Sequence, residues 1–293
     1  MVSKDDEDQD QIKIRRFDLS TLLTDAVVVL IGKRRSGKSF LTREILYYLT
    51  KKRIPYGQIF SHTEHCNPFY RKHFPPLFID DELSEEKMAQ IIDMQHKRIK
   101  RYAKKHNLEK GQCLENSMLL IFDDMMSDDD IFKKSKSFKK IFVEGRHASL
   151  FFLLILQYVL GIPPALRSNV DYAFLFASDG ANDLKKLYEN YASVIPTFHM
   201  FKQIFYACTR DFGCLVINRT TTSDNLCDKI FYYKADPRGP PSFRFGSKAL
   251  WKINDDAYQS SDDEDQETVR KKKVKNIIDT YGANGKKYSI SFG

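Results

Sequence analysis

The sequence contains no Cys-x-x-Cys pair, and its cysteines are few and odd in number. A disulfide framework uses cysteines in pairs, so the pattern argues against one and favours reduced thiols in a cytosolic compartment. His62, His65, Cys66 and His73 cluster along the chain, but their spacing matches no established set of zinc ligands. The five cysteines are Cys66, Cys113, Cys208, Cys214 and Cys227.

A membrane span and an export signal are also missing. The longest apolar run, residues 148–162, is interrupted by Gln157 and is shorter than the ~20 residues that a spanning helix needs. The first residues carry Asp and Glu where a secretory signal has a basic start and an apolar stretch. The apolar run is therefore predicted to form a buried strand, and no signal peptide is expected.

Apolar residues are scarce at both ends of the chain. Residues 4–10 are acidic, and residues 259–275 pass from an acidic block at 262–265 to a basic block at 270–275. Such segments bury too little apolar surface to offset chain entropy. Three parts are therefore predicted: an acidic N-terminal segment (1–22), one folded domain (23–252) and a flexible charged tail (253–293).

The 293-residue chain carries a formal net charge of +8. Because its ends contain acidic blocks, the folded part must be more basic than this total. An excess of positive charge favours a polyanionic partner. Charge alone fits a nucleic-acid partner and simple solubility equally well.

The central region alternates apolar runs with helical patterns. Residues 38–51 and 84–106 carry apolar residues at helical spacing. Residues 214–218 and 229–234 flank a polar, Thr-rich segment and predict a hairpin. The alternation predicts an α/β fold, with a mostly parallel sheet flanked by helices and a C-terminal β-hairpin that extends it. The predicted parallel strands are residues 26–31, 56–60, 118–122, 150–156 and 172–176.

A phosphate-binding motif follows the first predicted strand directly. Its two glycines permit backbone conformations that let successive N–H groups converge on phosphate oxygens at the start of a helix. The Lys38 ammonium is expected to reach the β- and γ-phosphates of ATP, and the Ser39 hydroxyl is expected to bind Mg²⁺. The residues that match G-x-x-x-x-G-K-[ST], the Walker A motif, are Gly32, Lys33, Arg34, Arg35, Ser36, Gly37, Lys38 and Ser39.

Two acidic residues end the strand at residues 118–122. Asp123 and Asp124 occupy the Walker B position, at the end of a strand where such sheets place their ligands. Asp123 is expected to hold Mg²⁺ through water, and Asp124 to position or deprotonate the attacking water. Many ATPases with two such carboxylates have Glu in the second place, so the shorter Asp124 leaves the identity of the base open.

Gln157 closes the next apolar strand. Its amide is a candidate to sense the γ-phosphate or to orient water, and the alternative is a polar residue that merely ends a strand. Asp128, Asp129 and Asp130 lie beyond the twin aspartates and are interpreted as a solvated loop, not as metal ligands.

With these motifs in place, the chain resembles the DNA-packaging ATPases of large nucleocytoplasmic DNA viruses, the poxvirus-like branch of the FtsK/HerA superfamily of P-loop ATPases. The resemblance covers roughly residues 26–235. Only the Walker A motif is widespread, whereas the ordered set of the others is specific. That set comprises the strand 119–124, Glu144-Gly145-Arg146-His147, Gln157, Ile162-Pro163-Pro164, residues 167–171, Arg219-Thr220-Thr221-Thr222 and residues 230–235.

The resemblance implies a RecA-like core, a homo-oligomeric ring, pentameric or hexameric, with ATP at each subunit interface, and translocation of double-stranded DNA into a capsid. It also implies Gln157 as the sensor, capsid or nuclease partners, and a location in the host cytoplasm, at the viral factory, or in the virion. ATPase rings usually supply an arginine finger in trans to the γ-phosphate. Arg146 and then Arg167 are the candidates, and either could equally be a structural ion-pair partner.

Two lysine-rich stretches, residues 96–106 and 133–140, could follow the phosphates of DNA without reading its sequence. For the first stretch, cations that complement the C-terminus of a helix are an equally good explanation.

Two other classes of function remain possible from the sequence. One is a nucleotide switch of the GTPase type, although no Asn-Lys-x-Asp motif is present. The other is a basic nucleic-acid-binding or scaffold protein with a vestigial phosphate loop, against which the intact motif residues argue.

Overall fold

The computed structural model describes residues 13–111, 113–125, 134–178 and 180–259. The acidic residues 4–10, the Asp128–Asp130 loop and the charged blocks of the tail lie outside these ranges. All five cysteines are free. Within the described residues, no helix combines the length and the apolar character that crossing a bilayer requires.

A nine-stranded sheet forms the centre of the domain, in the order β1-β9-β8-β7-β2-β6-β5-β3-β4. Its strands are β1 (Arg15–Arg16), β2 (Val27–Ile31), β3 (Tyr56–Ser61), β4 (Ile79–Asp80), β5 (Met118–Asp123), β6 (Leu150–Leu156), β7 (Tyr172–Phe176), β8 (Cys214–Asn218) and β9 (Ile230–Tyr233). The helices are α1 (Lys38–Lys51), α2 (Glu85–His106), α3 (Lys136–Glu144), α4 (Pro164–Arg167), α5 (Ala181–Tyr191), α6 (Phe198–Cys208) and α7 (Lys248–Gln259).

Six consecutive strands of this sheet, from β7 to β4, run parallel. Strands β8 and β9 form an antiparallel pair on the β7 side. The RecA-like P-loop NTPase fold predicted from the sequence, with its C-terminal hairpin extension, is therefore confirmed.

Helices cover both faces of the sheet, which explains why the central strands are apolar throughout. Every residue of β2, β6 and β7 is buried. Helices α1 and α7 bury Leu41 and Leu250 on one face. Helices α2 to α6 pack on the other, where Met88 and Phe138 join the same apolar cluster. A parallel sheet covered on both sides has no solvated face that could carry alternating polar residues.

Helix α2 begins and ends at local signals in the sequence. The Ser84 hydroxyl accepts a hydrogen bond from the Lys87 N–H at 3.2 Å, and Glu85 and Glu86 fill the first turn. Asn107 adopts the left-handed conformation, with φ of 53°, and ends the helix. Asparagine tolerates this conformation better than most residues, so Asn107 can end the helix directly after its basic last turn.

The folded domain extends beyond the predicted limits of residues 23–252. Strand β1 pairs in parallel with β9, and Phe17 behind it is 4% exposed. Three aromatic rings, those of Tyr172, Phe174 and Phe231, contact Phe17 edge-on at 5.4–5.7 Å between centroids. At the other end, α7 continues to Gln259. The acidic composition of the first residues led to a predicted N-terminal boundary that lies too far along the chain. A few apolar side chains are enough to anchor a short segment such as this one.

We predict that Phe17→Ala lowers the free energy of unfolding by about 3 kcal/mol, the usual cost of emptying a buried aromatic site. Leu23→Ala is the control, because Leu23 is 44% exposed and its truncation opens no cavity. Urea unfolding followed by circular dichroism measures both. Equal midpoints for the two variants would mean that residues 13–22 add nothing to the domain.

Candidate nucleotide-binding site

The loop between β2 and α1 has room only for glycine at two positions. The Gly32 N–H donates to the Leu156 carbonyl at 3.1 Å, and a Cβ on Gly32 would lie 2.5 Å from the Phe176 Cβ. Gly37 has φ of 105°, and a Cβ there would lie 3.0 Å from the Phe212 carbonyl oxygen. The two glycines therefore set the path of the loop against the neighbouring chain.

The side chains of this loop suit an anionic ligand. The Lys38 ammonium donates to the carbonyl of Gly32 and, at 2.7 Å, to that of Lys33. The Ser36 hydroxyl oxygen is buried and has no hydrogen-bond partner among the described residues. Ser39 lies in the first turn of α1 and is exposed. An unpaired buried hydroxyl and a cation at a helix N-terminus fit a phosphate group.

The twin aspartates lie at the same edge of the sheet as this loop. Strand β6 pairs with both β2 and β5, so that Ile31 lies beside Leu156, and Asp123 beside Ile155. Two strand spacings separate Ile31 from Asp123, about 10 Å. The carboxylates and the phosphate loop therefore face each other across the end of one strand.

The charges at this edge act on one another. Burial raises the pKa of the Asp123 carboxyl to about 6, while the Tyr70 hydroxyl and the Lys38 ammonium oppose that rise. Burial lowers the pKa of Lys38, and the negative charges of Asp123 and Asp124 counteract it. Lys38 is thus electrostatically coupled to both carboxylates, although it lies far from this adjacent pair in the sequence.

Gln157 connects the phosphate loop to the second aspartate. Its amide nitrogen donates to Asp124 Oδ1, and its amide oxygen accepts from Arg34 Nε at 3.1 Å. Asp124 itself has φ of 56°, in the left-handed region that aspartate visits more readily than most residues. The chain Arg34–Gln157–Asp124 links a loop residue, the candidate sensor and the candidate base.

Sequence reasoning missed Tyr70 and Glu64. The Tyr70 hydroxyl donates to Asp123 Oδ2 at 2.7 Å, across 53 positions of the sequence. Burial, reinforced by the Asp123 charge, raises the pKa of Tyr70 well above its ordinary value, so the hydroxyl keeps the proton that it donates. Glu64 organises the turn that carries Tyr70. No motif or periodicity in residues 62–74 indicates either contact.

The two arginines predicted as fingers lie away from the phosphate loop of their own chain. Arg146 Nη2 contacts Asp171 Oδ1 at 3.0 Å, and Asp171 Oδ2 accepts the Val27 N–H at 2.8 Å. Val27 is the first residue of β2, and the phosphate loop follows the last one. Arg146 therefore lies at the opposite end of this strand from the loop. Arg167 donates from Nε to the Ile162 carbonyl at 2.8 Å and from Nη1 to Asn190.

The site offers oxygen atoms of the kind that magnesium binds in proteins. In the part of the chain that the structure describes, no three His, Cys, Asp or Glu side chains form a metal-ligand cluster. Magnesium retains several waters and is usually held by one or two protein oxygens together with substrate phosphates. The Ser39 hydroxyl and the Asp123 carboxylate fit that requirement.

The fold and the residues at this edge define the chain as a P-loop NTPase core of the RecA-like type. Within that class it belongs to the family described as the Poxvirus A32 protein, whose family model matches residues 14–211. This match confirms the family resemblance inferred from the sequence.

Relatives of the chain occur in several large DNA viruses. The chain is 34% identical to protein L437 of Acanthamoeba polyphaga mimivirus over 238 residues, which cover 81% of each chain. It is 38% identical to protein 075L of Invertebrate iridescent virus 6 over 220 residues, covering 75% of this chain and 81% of the relative.

Two solved structures share the fold at low sequence identity. The genome packaging NTPase B204 of Sulfolobus turreted icosahedral virus 2, in complex with AMPPCP, matches with a TM-score of 0.52 and 18% identity. That match covers 73% of this chain and 100% of B204. The pCW3 conjugation coupling protein TcpA matches with a TM-score of 0.51 and 11% identity, covering 81% of this chain and 66% of TcpA.

We predict that Lys38→Ala weakens ATP binding by at least about tenfold, because charge-assisted hydrogen bonds to phosphate contribute about 1.5–3 kcal/mol. Lys51→Ala is the control, since Lys51 ends the same helix about 20 Å away. Titration with a fluorescent ATP analogue measures both affinities. Wild-type affinity in Lys38→Ala would place the phosphates elsewhere.

Proposed function

We propose that this chain is an ATP-hydrolysing translocase of double-stranded DNA that packages a viral genome into a capsid. The observation that carries the proposal is the meeting of the phosphate loop, Asp123, Asp124 and Gln157 at one edge of the sheet. Membership of the Poxvirus A32 family and the likeness of the fold to the packaging NTPase B204 support the choice of substrate.

In the proposed reaction, the loop residues 32–39 hold the triphosphate through backbone N–H groups and the Lys38 ammonium. Ser39 and Asp123 hold Mg²⁺, which neutralises charge on the β- and γ-phosphates when it is bound. Asp124 positions or deprotonates the attacking water. Arg34, at the phosphate loop, contacts Gln157, which gives the amide a route to sense whether a γ-phosphate is present.

Two neighbouring helices carry the cations proposed to contact DNA. Helices α2 and α3 pack side by side, since Glu85 Oε1 accepts from the Ser137 N–H at 2.9 Å and His96 lies 3.6 Å from Glu144. Their exposed cations are Lys97, Lys100, Arg101, Lys104, Lys105, Lys136, Lys139 and Lys140. Lysines that contact phosphates hold DNA of any sequence, as a packaging motor requires. Lys133, which begins the second basic stretch, lies outside the described residues.

An arginine finger in this proposal comes from a neighbouring copy in a ring. Arg146 is the better candidate, because its side chain is 63% exposed. Arg167 is engaged by the loop at Ile162 and by α5, and its carbonyl accepts from Arg219 at 2.8 Å. These bonds favour the structural alternative for Arg167.

Two other functions are weighed against the translocase. In a nucleotide switch, hydrolysis would be indifferent to DNA and selective for GTP. A scaffold with a vestigial loop would not bind or hydrolyse a nucleotide, so it would not need Lys38 to be electrostatically coupled to Asp123 and Asp124. That coupling favours an enzyme.

We predict that Asp124→Asn binds ATP normally but hydrolyses it about 10²- to 10⁴-fold more slowly, the range lost with a general base. Asparagine retains an oxygen for the Gln157 amide, so the network around it survives. Single-turnover hydrolysis and a binding titration on the same sample separate the two effects. Wild-type turnover would assign the base to another residue.

We predict that double-stranded DNA stimulates ATP hydrolysis and that added salt removes the stimulation, since each phosphate contact contributes about −0.9 to the slope of log affinity against log salt. The triple variant Lys97→Gln, Lys100→Gln, Arg101→Gln should reduce that slope by about 2 to 3. Hydrolysis and DNA affinity are measured together across a salt series.

The matched control removes three charges from the opposite face of the sheet, through Lys51→Gln, Lys248→Gln and Lys252→Gln on α1 and α7. All three lysines are exposed. Equal slopes for the two triple variants would exclude α2 as the DNA contact. GTP-selective turnover that ignores DNA would instead support the nucleotide switch.

A further inference from the structure

We infer that Tyr70 is a positioning residue for magnesium, because it holds one oxygen of the Asp123 carboxylate in place. The inference rests on the proposed function, in which Asp123 binds Mg²⁺ beside ATP. It adds a residue from outside both nucleotide-binding motifs.

The turn that carries Tyr70 is fixed by one buried carboxylate. Glu64 is 3% exposed, and its Oε2 accepts the N–H groups of Phe69 and Tyr70 at 2.8 and 2.9 Å. Its Oε1 accepts the Arg71 N–H at 2.9 Å and the Arg71 Nε at 3.3 Å. A carboxylate that satisfies three successive N–H groups holds the backbone in one conformation. Tyr70 is thus attached to a rigid turn.

The side chain of Tyr70 is fixed as firmly as its backbone. The residue is 1% exposed, and its ring packs edge-on against Phe69 with 4.8 Å between centroids. The hydroxyl therefore has one direction in which to donate, and Asp123 Oδ2 receives it at 2.7 Å.

As a consequence, the two carboxylate oxygens of Asp123 differ in their hydrogen bonding. Oδ2 is occupied by Tyr70, and no described residue donates to Oδ1. The side chain of Asp123 is half-buried, which leaves it accessible from the edge of the sheet. Hydrogen bonds to a ligating carboxylate orient it toward the metal, and their loss commonly costs 10- to 100-fold in metal affinity.

A purely structural hydroxyl would behave differently. Removing it would lower the stability of the protein, but the contribution of Mg²⁺ to nucleotide affinity would be unchanged. The ratio of ATP affinity with Mg²⁺ to ATP affinity in EDTA therefore distinguishes a positioning role from a structural one.

The test compares Tyr70→Phe with the wild type, using a fluorescent ATP analogue titrated with Mg²⁺ and in EDTA. Tyr70→Phe keeps the buried ring. We expect binding in EDTA to be unchanged, because Lys38 and the loop are untouched, and the half-saturating Mg²⁺ concentration to rise about tenfold. An unchanged Mg²⁺ requirement would overturn the inference.

Tyr191→Phe is the matched control. Tyr191 is equally buried, and its hydroxyl donates to a backbone carbonyl, that of Val159, at 2.9 Å. The Tyr191→Phe variant should keep the wild-type Mg²⁺ requirement. An equal rise of that requirement in both variants would assign the effect to a general loss of packing in the domain. If Tyr70→Phe does not fold, Glu64→Gln tests the same turn, and an unchanged Mg²⁺ requirement there would overturn the inference as well.

The failure of this inference can be told apart from the failure of the proposed function. A wild-type protein that binds no ATP at any Mg²⁺ concentration would remove the function itself. A wild-type protein that binds ATP with help from Mg²⁺, beside a Tyr70→Phe variant with the same requirement, would remove only the role of Tyr70.

Discussion

The position of β6 between β2 and β5 is the constraint on which the rest of the site depends. Its pairing on both sides sets the phosphate loop and the twin aspartates two strand spacings apart. Because side chains alternate along a strand, a slip of one residue would turn Asp123 to the other face. Such a slip would also bring Phe122 out of the apolar cluster that it shares with Phe138 and Phe152. The core and the site are therefore held in register by the same apolar contacts.

The edge of the sheet collects charges that weaken the fold. Burial of Asp123 raises its pKa because water solvates the carboxylate less well there, and burial of Lys38 lowers its pKa for the same reason. Each group offsets part of the free-energy cost of burying the other's charge. The hydrogen bond from Tyr70 offsets a further part of the cost for Asp123. A triphosphate and its metal need opposite charges presented together, so the arrangement that costs stability is the one that suits the ligand.

The parts predictable from the sequence were those with local signals. Runs of apolar residues predicted β2, β3, β5, β6 and β7, but not the two-residue strand β4. The spacing of Gly32, Gly37 and Lys38 predicted the loop. Tyr70 could not be found in this way, because its contact with Asp123 depends on a turn folded by Glu64. Strand β1 was missed because two residues are too few to show alternation, and its anchor, Phe17, is one apolar residue in a polar segment.

The position of Arg146 limits how a ring could use it. Asp171 joins Arg146 to Val27, at the start of a five-residue strand whose other end leads into the phosphate loop. A strand of that length spans about 15 Å, which exceeds the reach of an arginine side chain held at one end. Arg146 therefore cannot serve the loop of its own chain. If it contacts a γ-phosphate, a neighbouring copy must present its loop edge to the opposite edge of this sheet, so the finger role requires a head-to-tail arrangement of copies.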